Sequence, residues 1–215
     1  MTAICWLPGW ASDLSLCDDW LHKRWPNEAH HLVGFSQMLK SREHLSEIQE
    51  LRDANLIVAW SLGSLLTLRG PLPPKVPLVV LTPIADFCHP ELGWPVRVLK
   101  RMITKLEQSP QSVLEVFAKQ MDIPEFNRSL WVKQALGIPA ADLSLGLELL
   151  AHQTVSNLDS LATQRPIHMI YGGQDQIVAP KLCHWLEEKL QPTSVQFLPD
   201  MPHWPFAGDW TLPLL

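Results

Sequence analysis

The stretch Asn55-Leu56-Ile57-Val58-Ala59-Trp60-Ser61-Leu62-Gly63-Ser64-Leu65-Leu66-Thr67-Leu68 changes character at a single serine. Residues 55–60 are apolar and partly β-branched, the pattern of a strand buried on both faces. Residues 61–68 read as a helix that Gly70-Pro71 ends. A serine between a strand end and a helix start fits a nucleophile elbow, a sharp strained turn that lifts the hydroxyl above a parallel sheet. Small neighbours relieve crowding there, and the pattern is Gly-x-Ser-x-Gly. Here Ala59 replaces the first glycine, adding only a methyl group. A serine capping an ordinary helix would look the same locally, so Ser61 needs partners elsewhere in the chain.

Outward from this stretch the elements alternate. Ala3 to Leu7 reads as a buried strand stopped by Pro8-Gly9. Residues 13–25 read as a helix capped by Ser12 or Asp13, His30 to Phe35 as a strand, and 41–52 as a helix. Val76 to Leu81 is the next strand. From 88 to 153 strands give way to helical patterns at 96–107, 110–121, 128–136 and 142–153. The alternation resumes with a strand over 167–171, a helix over 179–190 and a strand over 194–198. Alternating strands and helices imply right-handed crossovers and a mainly parallel sheet flanked by helices. The expected organisation is a core of residues 1–87 and 154–215 with a helical cap over 88–153.

Composition narrows the function. Of the 215 residues, 47% are hydrophobic and 18% charged, as in a folded globular chain and unlike a disordered one. A formal net charge of −5 argues against a nucleic-acid binder. No basic-then-apolar leader and no membrane-length apolar run is visible. Cys5, Cys17, Cys88 and Cys183 show no paired framework, so free thiols in a reducing cytoplasm are expected. Cys88-His89, Cys183-His184 and His30-His31 lack metal-ligand spacing, so neither a metal nor another cofactor is expected. Ten tryptophans predict extensive aromatic packing or a wide apolar pocket.

A serine hydroxyl is a weak nucleophile and needs a base oriented by a third group. Asp175 lies in Tyr171-Gly172-Gly173-Gln174-Asp175, just past a strand. His203 lies in Asp200-Met201-Pro202-His203-Trp204-Pro205-Phe206, just past the last one. The chain order Ser, Asp, His suits a sheet whose site gathers at its carboxyl edge. Asp86 and Asp200 remain open as substitute acids. Developing negative charge on a carbonyl oxygen needs two backbone N–H donors. Leu62, after the nucleophile, is one candidate, and Trp10, after Gly9, is the other.

These residues resemble the α/β-hydrolase superfamily, and within it the pimeloyl-[acyl-carrier protein] methyl ester esterases of biotin synthesis. That branch carries Gly-Trp after the first core strand, as Gly9-Trp10 here. Its Gly-Trp-Ser-Leu-Gly-Gly elbow is matched by Ala59 to Ser64 with the first and last glycines replaced. A Gly-Leu-x-Leu-Leu return from the cap is matched at Gly146 to Leu150, and a His-x-Pro-Phe segment at His203 to Phe206. Three features depart. Pro8 stands where the family has histidine, the leading antiparallel strands are absent, and twelve residues follow His203 where the family has a final helix.

The resemblance implies a cytoplasmic, monomeric carboxylesterase that hydrolyses the methyl ester of pimeloyl-acyl-carrier protein through an acyl-enzyme. An acidic carrier protein would be its partner. Arg97, Lys100, Arg101 and Lys105 recur at helical spacing and could steer such a partner, with Trp10 on the substrate path. A solvated helix face gives the same stripe, and a membrane-surface helix is a further alternative. Residues 90–153 contain seven Lys+Arg and seven Asp+Glu, so the cap as a whole is not basic. A generalist short-chain carboxylesterase or thioesterase, or a non-catalytic binding protein of this fold, are the competing readings.

Overall fold

Strand β3 (Leu56–Trp60) buries all five of its residues. Such a strand belongs inside a sheet covered on both faces. The computed structural model, which describes residues 2–213, places it third across a six-stranded sheet. The other strands are β1 (Ala3–Leu7), β2 (Ala29–Leu32), β4 (Leu78–Leu81), β5 (Ile167–Gly172) and β6 (Ser194–Leu198), and the spatial order is β2-β1-β3-β4-β5-β6. All pairings among these strands are parallel. Strand β1 lies between β2 and β3, so the winding direction reverses there. A reversal leaves a crevice outside the carboxyl ends of the strands. Register places Leu7 opposite Ala59, so the loops that follow β1 and β3 leave the sheet side by side.

The helices are α1 (Asp18–Arg24), α2 (Phe35–Lys40), α3 (Gln49–Arg52), α4 (Leu62–Arg69), α5 (Val96–Gln108), α6 (Pro110–Gln120), α7 (Glu125–Leu136), α8 (Ala140–His152), α9 (Leu158–Gln164) and α10 (Pro180–Leu190). Helices α5 to α8 fill the segment between β4 and β5. Asp86 and Thr154 form an antiparallel bridge, and the Val155 N–H donates to the Ala85 carbonyl at 2.8 Å. The chain therefore leaves and rejoins the sheet region at one place. None of the described helices is long and apolar enough to cross a membrane.

Two expected elements are corrected. The strand expected over 30–35 is β2 at 29–32, and Phe35 instead opens α2. Gly34 is extended at the cap, its N–H meets the Gln37 Oε1 at 3.4 Å, and Phe35, Met38 and Leu39 form the buried helical face. The helix expected over 41–52 is broken. Leu45, Ile48 and Leu51 are all buried at a spacing of three, which suits i→i+3 turns better than an α-helix. A 3₁₀ turn at 45–47 closes with Ile48 N–H to Leu45 O at 3.0 Å, and α3 then makes one α turn, Arg52 N–H to Ile48 O at 3.1 Å. Near the N-terminus the first turn, Leu14–Cys17, is 3₁₀ and is capped by the Asp13 carboxylate, before α1 begins. The last helix before β5, α9, has no counterpart among the expected elements.

Most of the indoles serve packing. Trp6 and Trp20 each pack on Trp25, with ring centroids 5.7 and 5.6 Å apart. Trp210 meets Trp20 and Trp25 at 5.4 and 5.3 Å. Residues 204–213 form no helix, and this stretch inserts Trp210 into the cluster while the Arg24 guanidinium donates to the Trp210 carbonyl at 2.7 and 3.0 Å.

At the other end of the sheet two backbones touch. A Cβ on Gly172 would overlap the Met201 carbonyl, and one on Gly173 would overlap that of Pro199. Hydrogen bonds close the same contact, Gly173 N–H to Leu198 O at 2.9 Å and Gln174 N–H to Met201 O at 3.1 Å. Gly172→Ala should therefore lower unfolding free energy by about 1–3 kcal/mol, as overpacking does. Gly208→Ala, whose added Cβ meets nothing closer than 3.5 Å, should stay within about 0.5 kcal/mol. Urea denaturation of both variants checks the contrast.

Candidate active site

Ser61 joins β3 to α4 with φ 54 and ψ −115, a conformation that non-glycine residues avoid. Its N–H continues the sheet ladder to Leu81 O at 3.0 Å, and its carbonyl accepts the Ser64 N–H at 2.9 Å. Gly63 is required here. An added Cβ would lie 2.8 Å from Pro8 O and 3.0 Å from Leu7 O. The Gly63 N–H donates to Pro8 O at 3.1 Å, so the proline that replaces histidine still supports the elbow through its carbonyl. Ala59 is fully buried inside β3.

The Ser61 hydroxyl donates to His203 Nε2 at 3.0 Å, and the His203 Nδ1–H donates to Asp175 Oδ2 at 2.8 Å. The His203 and Asp175 side chains are each 1% exposed. The other carboxylate oxygen of Asp175 accepts the Ile177 and Val178 N–H groups, both at 2.8 Å. Three donors thus satisfy a buried carboxylate, as burial demands. Its bond to Nδ1 fixes the imidazole tautomer that leaves Nε2 free to take a proton. Of the alternative acids, Asp200 is exposed and Asp86 sits at the Thr154 bridge, while the imidazole bonds to Asp175. Burial, aided by the Asp175 charge, pushes the Cys183 thiol well up, so it stays protonated and is no competing nucleophile.

Gly9 brings the loop after β1 against the serine, for a Cβ there would lie 3.2 Å from Ser61 Cβ. Ala11, like Ser61, has positive φ. Among the described residues neither the Trp10 nor the Leu62 backbone N–H has an acceptor. The loop is fixed from above. The Trp10 Nε1–H donates to Leu143 O at 2.8 Å, and the Trp131 Nε1–H to Ser12 Oγ at 3.2 Å. Gly146 makes room for the Trp10 ring, which an added Cβ would approach to 2.7 Å.

Sequence reasoning missed Trp60 and every cavity wall but Trp10. The Trp60 Nε1–H donates to the His203 carbonyl at 3.1 Å, tying the end of β3 to the loop that carries His203. An indole beside the serine was visible in the sequence, but its partner is 143 residues away. Trp10, Phe87, Trp94, Met102, Phe117 and Leu150 line a narrow apolar cavity of about 20 Å³ over Ser61. Trp94, Met102 and Phe117 also line an apolar groove of about 190 Å³ between α5 and α6, with Lys105 at its rim. Arg97, Lys100, Arg101 and Lys105 are all exposed on α5, opposite the buried Leu99 and Leu106. A larger cleft of about 510 Å³, lined by Asp122, Asp200 and Asp209, lies away from Ser61. Among the described residues no three His, Cys, Asp or Glu side chains gather as a metal site.

No protein-family model matches the sequence, and no curated protein matches it. Solved structures do. An esterase (EaEST) from Exiguobacterium antarcticum aligns with a TM-score of 0.78 at 14% identity, over 96% of this chain and 86% of that one. A bromoperoxidase from Bacillus anthracis aligns at 0.74 and 16%, over 93% and 84%. A hydrolase from Oleispira antarctica aligns at 0.74 and 12%, over 94% and 84%. Likeness at such low identity speaks to architecture. With the parallel sheet and its strand–serine–helix turn, it establishes that this chain has the α/β-hydrolase fold.

Proposed function

We propose that the protein is a serine carboxylesterase with Ser61 as nucleophile, His203 as general base and Asp175 as its orienting acid. The observation that carries this reading is the unbroken buried relay from Ser61 Oγ through His203 to Asp175. Ser61 Oγ attacks the ester carbonyl while its proton passes to His203 Nε2. The tetrahedral oxyanion is received by the Trp10 and Leu62 N–H groups, neither of which has a backbone acceptor among the described residues. Collapse breaks the bond to the alcohol, which takes the proton from His203. Water then gives a proton to His203 and attacks the acyl-enzyme, which releases the carboxylic acid and restores Ser61. A fold kept only for binding would have no use for a strained serine aligned with a buried base.

For the substrate, we propose the methyl ester of pimeloyl-acyl-carrier protein, within biotin synthesis. The groove between α5 and α6 supports it, being apolar, continuous with the walls over Ser61 and rimmed by Lys105. The exposed basic stripe would face the acidic carrier. Four free cysteines suit a cytoplasmic setting. A generalist short-chain esterase or thioesterase is the second reading.

Asp175→Asn should lower kcat on p-nitrophenyl acetate by about 10³–10⁴-fold, because the imidazole loses its correct tautomer; steady-state kinetics on folded protein checks this. Replacing Arg97, Lys100, Arg101 and Lys105 with glutamine should raise KM for the carrier-borne ester and flatten its salt dependence. Turnover of p-nitrophenyl acetate should stay unchanged. Equal KM for both proteins on the carrier-borne ester would favour the generalist, as would failure of a well-expressed, active protein to restore biotin-independent growth to a strain lacking the esterase.

A further inference from the structure

We propose that Ser64 is a positioning residue, which sets the peptide plane shared by the nucleophile and one oxyanion donor; this rests on the hydrolase reading above. Ser64 lies in the first turn of α4 and is fully buried. The esterases that the sequence resembles carry glycine there, which has no hydroxyl. In this chain the Ser64 Oγ–H donates to the Ser61 carbonyl at 2.6 Å, and the same oxygen accepts the Ile84 N–H at 2.8 Å. The hydroxyl therefore bridges the elbow to the loop after β4.

The geometry gives this bridge a catalytic consequence. The Ser61 carbonyl and the Leu62 N–H belong to one rigid peptide unit. Pinning the oxygen on one side fixes the direction of the N–H on the other, and that N–H is the proposed oxyanion donor. Backbone bonds to the Ser61 carbonyl from Ser64 at 2.9 Å and Leu65 at 3.3 Å arise within the helix start itself. The Ser64 hydroxyl is the contact that joins this carbonyl to a separate element. That element is itself held firmly. Thr82 has φ 43 and its N–H donates to Ile170 O at 2.8 Å. Ala85 and Asp86 bond to Val155 and Thr154, where the chain rejoins the sheet, and Phe87 walls the cavity over Ser61. Through Ser64 the serine's orientation is referenced to both ends of the helical segment above it.

An oxyanion donor acts chiefly in the transition state. Loss of the Ser64 hydroxyl should therefore appear in kcat and leave KM alone. Ser64→Ala should lower kcat on p-nitrophenyl acetate, per active site titrated by the p-nitrophenol burst, by about tenfold, the worth of one well-made hydrogen bond. KM should stay within twofold, and Ser64→Cys, which keeps a weak donor of similar size, should fall between. A folded Ser64→Ala protein with kcat within twofold of the parent overturns the proposal, even if its melting temperature drops, since a merely structural role predicts that result. Should the alanine variant fail to fold, Ser64→Cys decides: a reduced kcat at constant KM supports the proposal and a parental kcat overturns it. A folded parent protein that neither turns over p-nitrophenyl acetate nor is labelled by a fluorophosphonate would count instead against the hydrolase reading.

Discussion

The Ser61 backbone conformation costs on the order of 1–3 kcal/mol and persists only where its surroundings over-determine it. Those surroundings come from the whole sheet. Leu81 on β4 takes the serine's N–H, Pro8 after β1 takes the N–H of Gly63, and Gly63 has no side chain because that carbonyl lies against it. The reversal of winding between β1 and β3 brings these loops to one crevice. Tertiary packing thus holds the turn, and the strain keeps the hydroxyl above the sheet where His203 meets it.

His203 and Asp175 are positioned by an analogous close approach at the far side of β5. Gly172 and Gly173 let its end pass against the loop after β6, so Asp175 and His203 arrive from adjacent strands at hydrogen-bond distance. Above them the helical segment contacts the site in two distinct ways. Helices α7 and α8 bond to the loop after β1 through Trp131 and Leu143 and so hold it in place. Helices α5 and α6 meet along an apolar groove instead.

Much of this was legible in the sequence because the signals were local. The strand-to-helix switch at Ser61, Asp175 after Gly172-Gly173 and His203 after the last strand each show in a few residues. The helices over 96–152 show in proline punctuation and apolar spacing. What was not legible depends on partners far away in the chain. Trp60 bonds to a carbonyl 143 residues on, and Trp10 to one 133 residues on. Ser64 gains its meaning only from Ile84, twenty residues on, whose N–H its hydroxyl accepts. The misplaced boundaries have separate local causes: near 35 an apolar Val33 and Phe35 extend the strand pattern past Gly34, where α2 begins, and near 45 apolar residues at a spacing of three look helical although a 3₁₀ turn interrupts the segment.

The central claim is that Ser61 is an activated nucleophile. Incubation of the folded protein with a fluorophosphonate, followed by intact-mass and peptide mass spectrometry, tests it most directly. The account predicts a single adduct on the peptide bearing Ser61, absent from Ser61→Ala and strongly slowed in His203→Ala. A folded protein that takes up no label, or takes it up at another residue, would contradict the account.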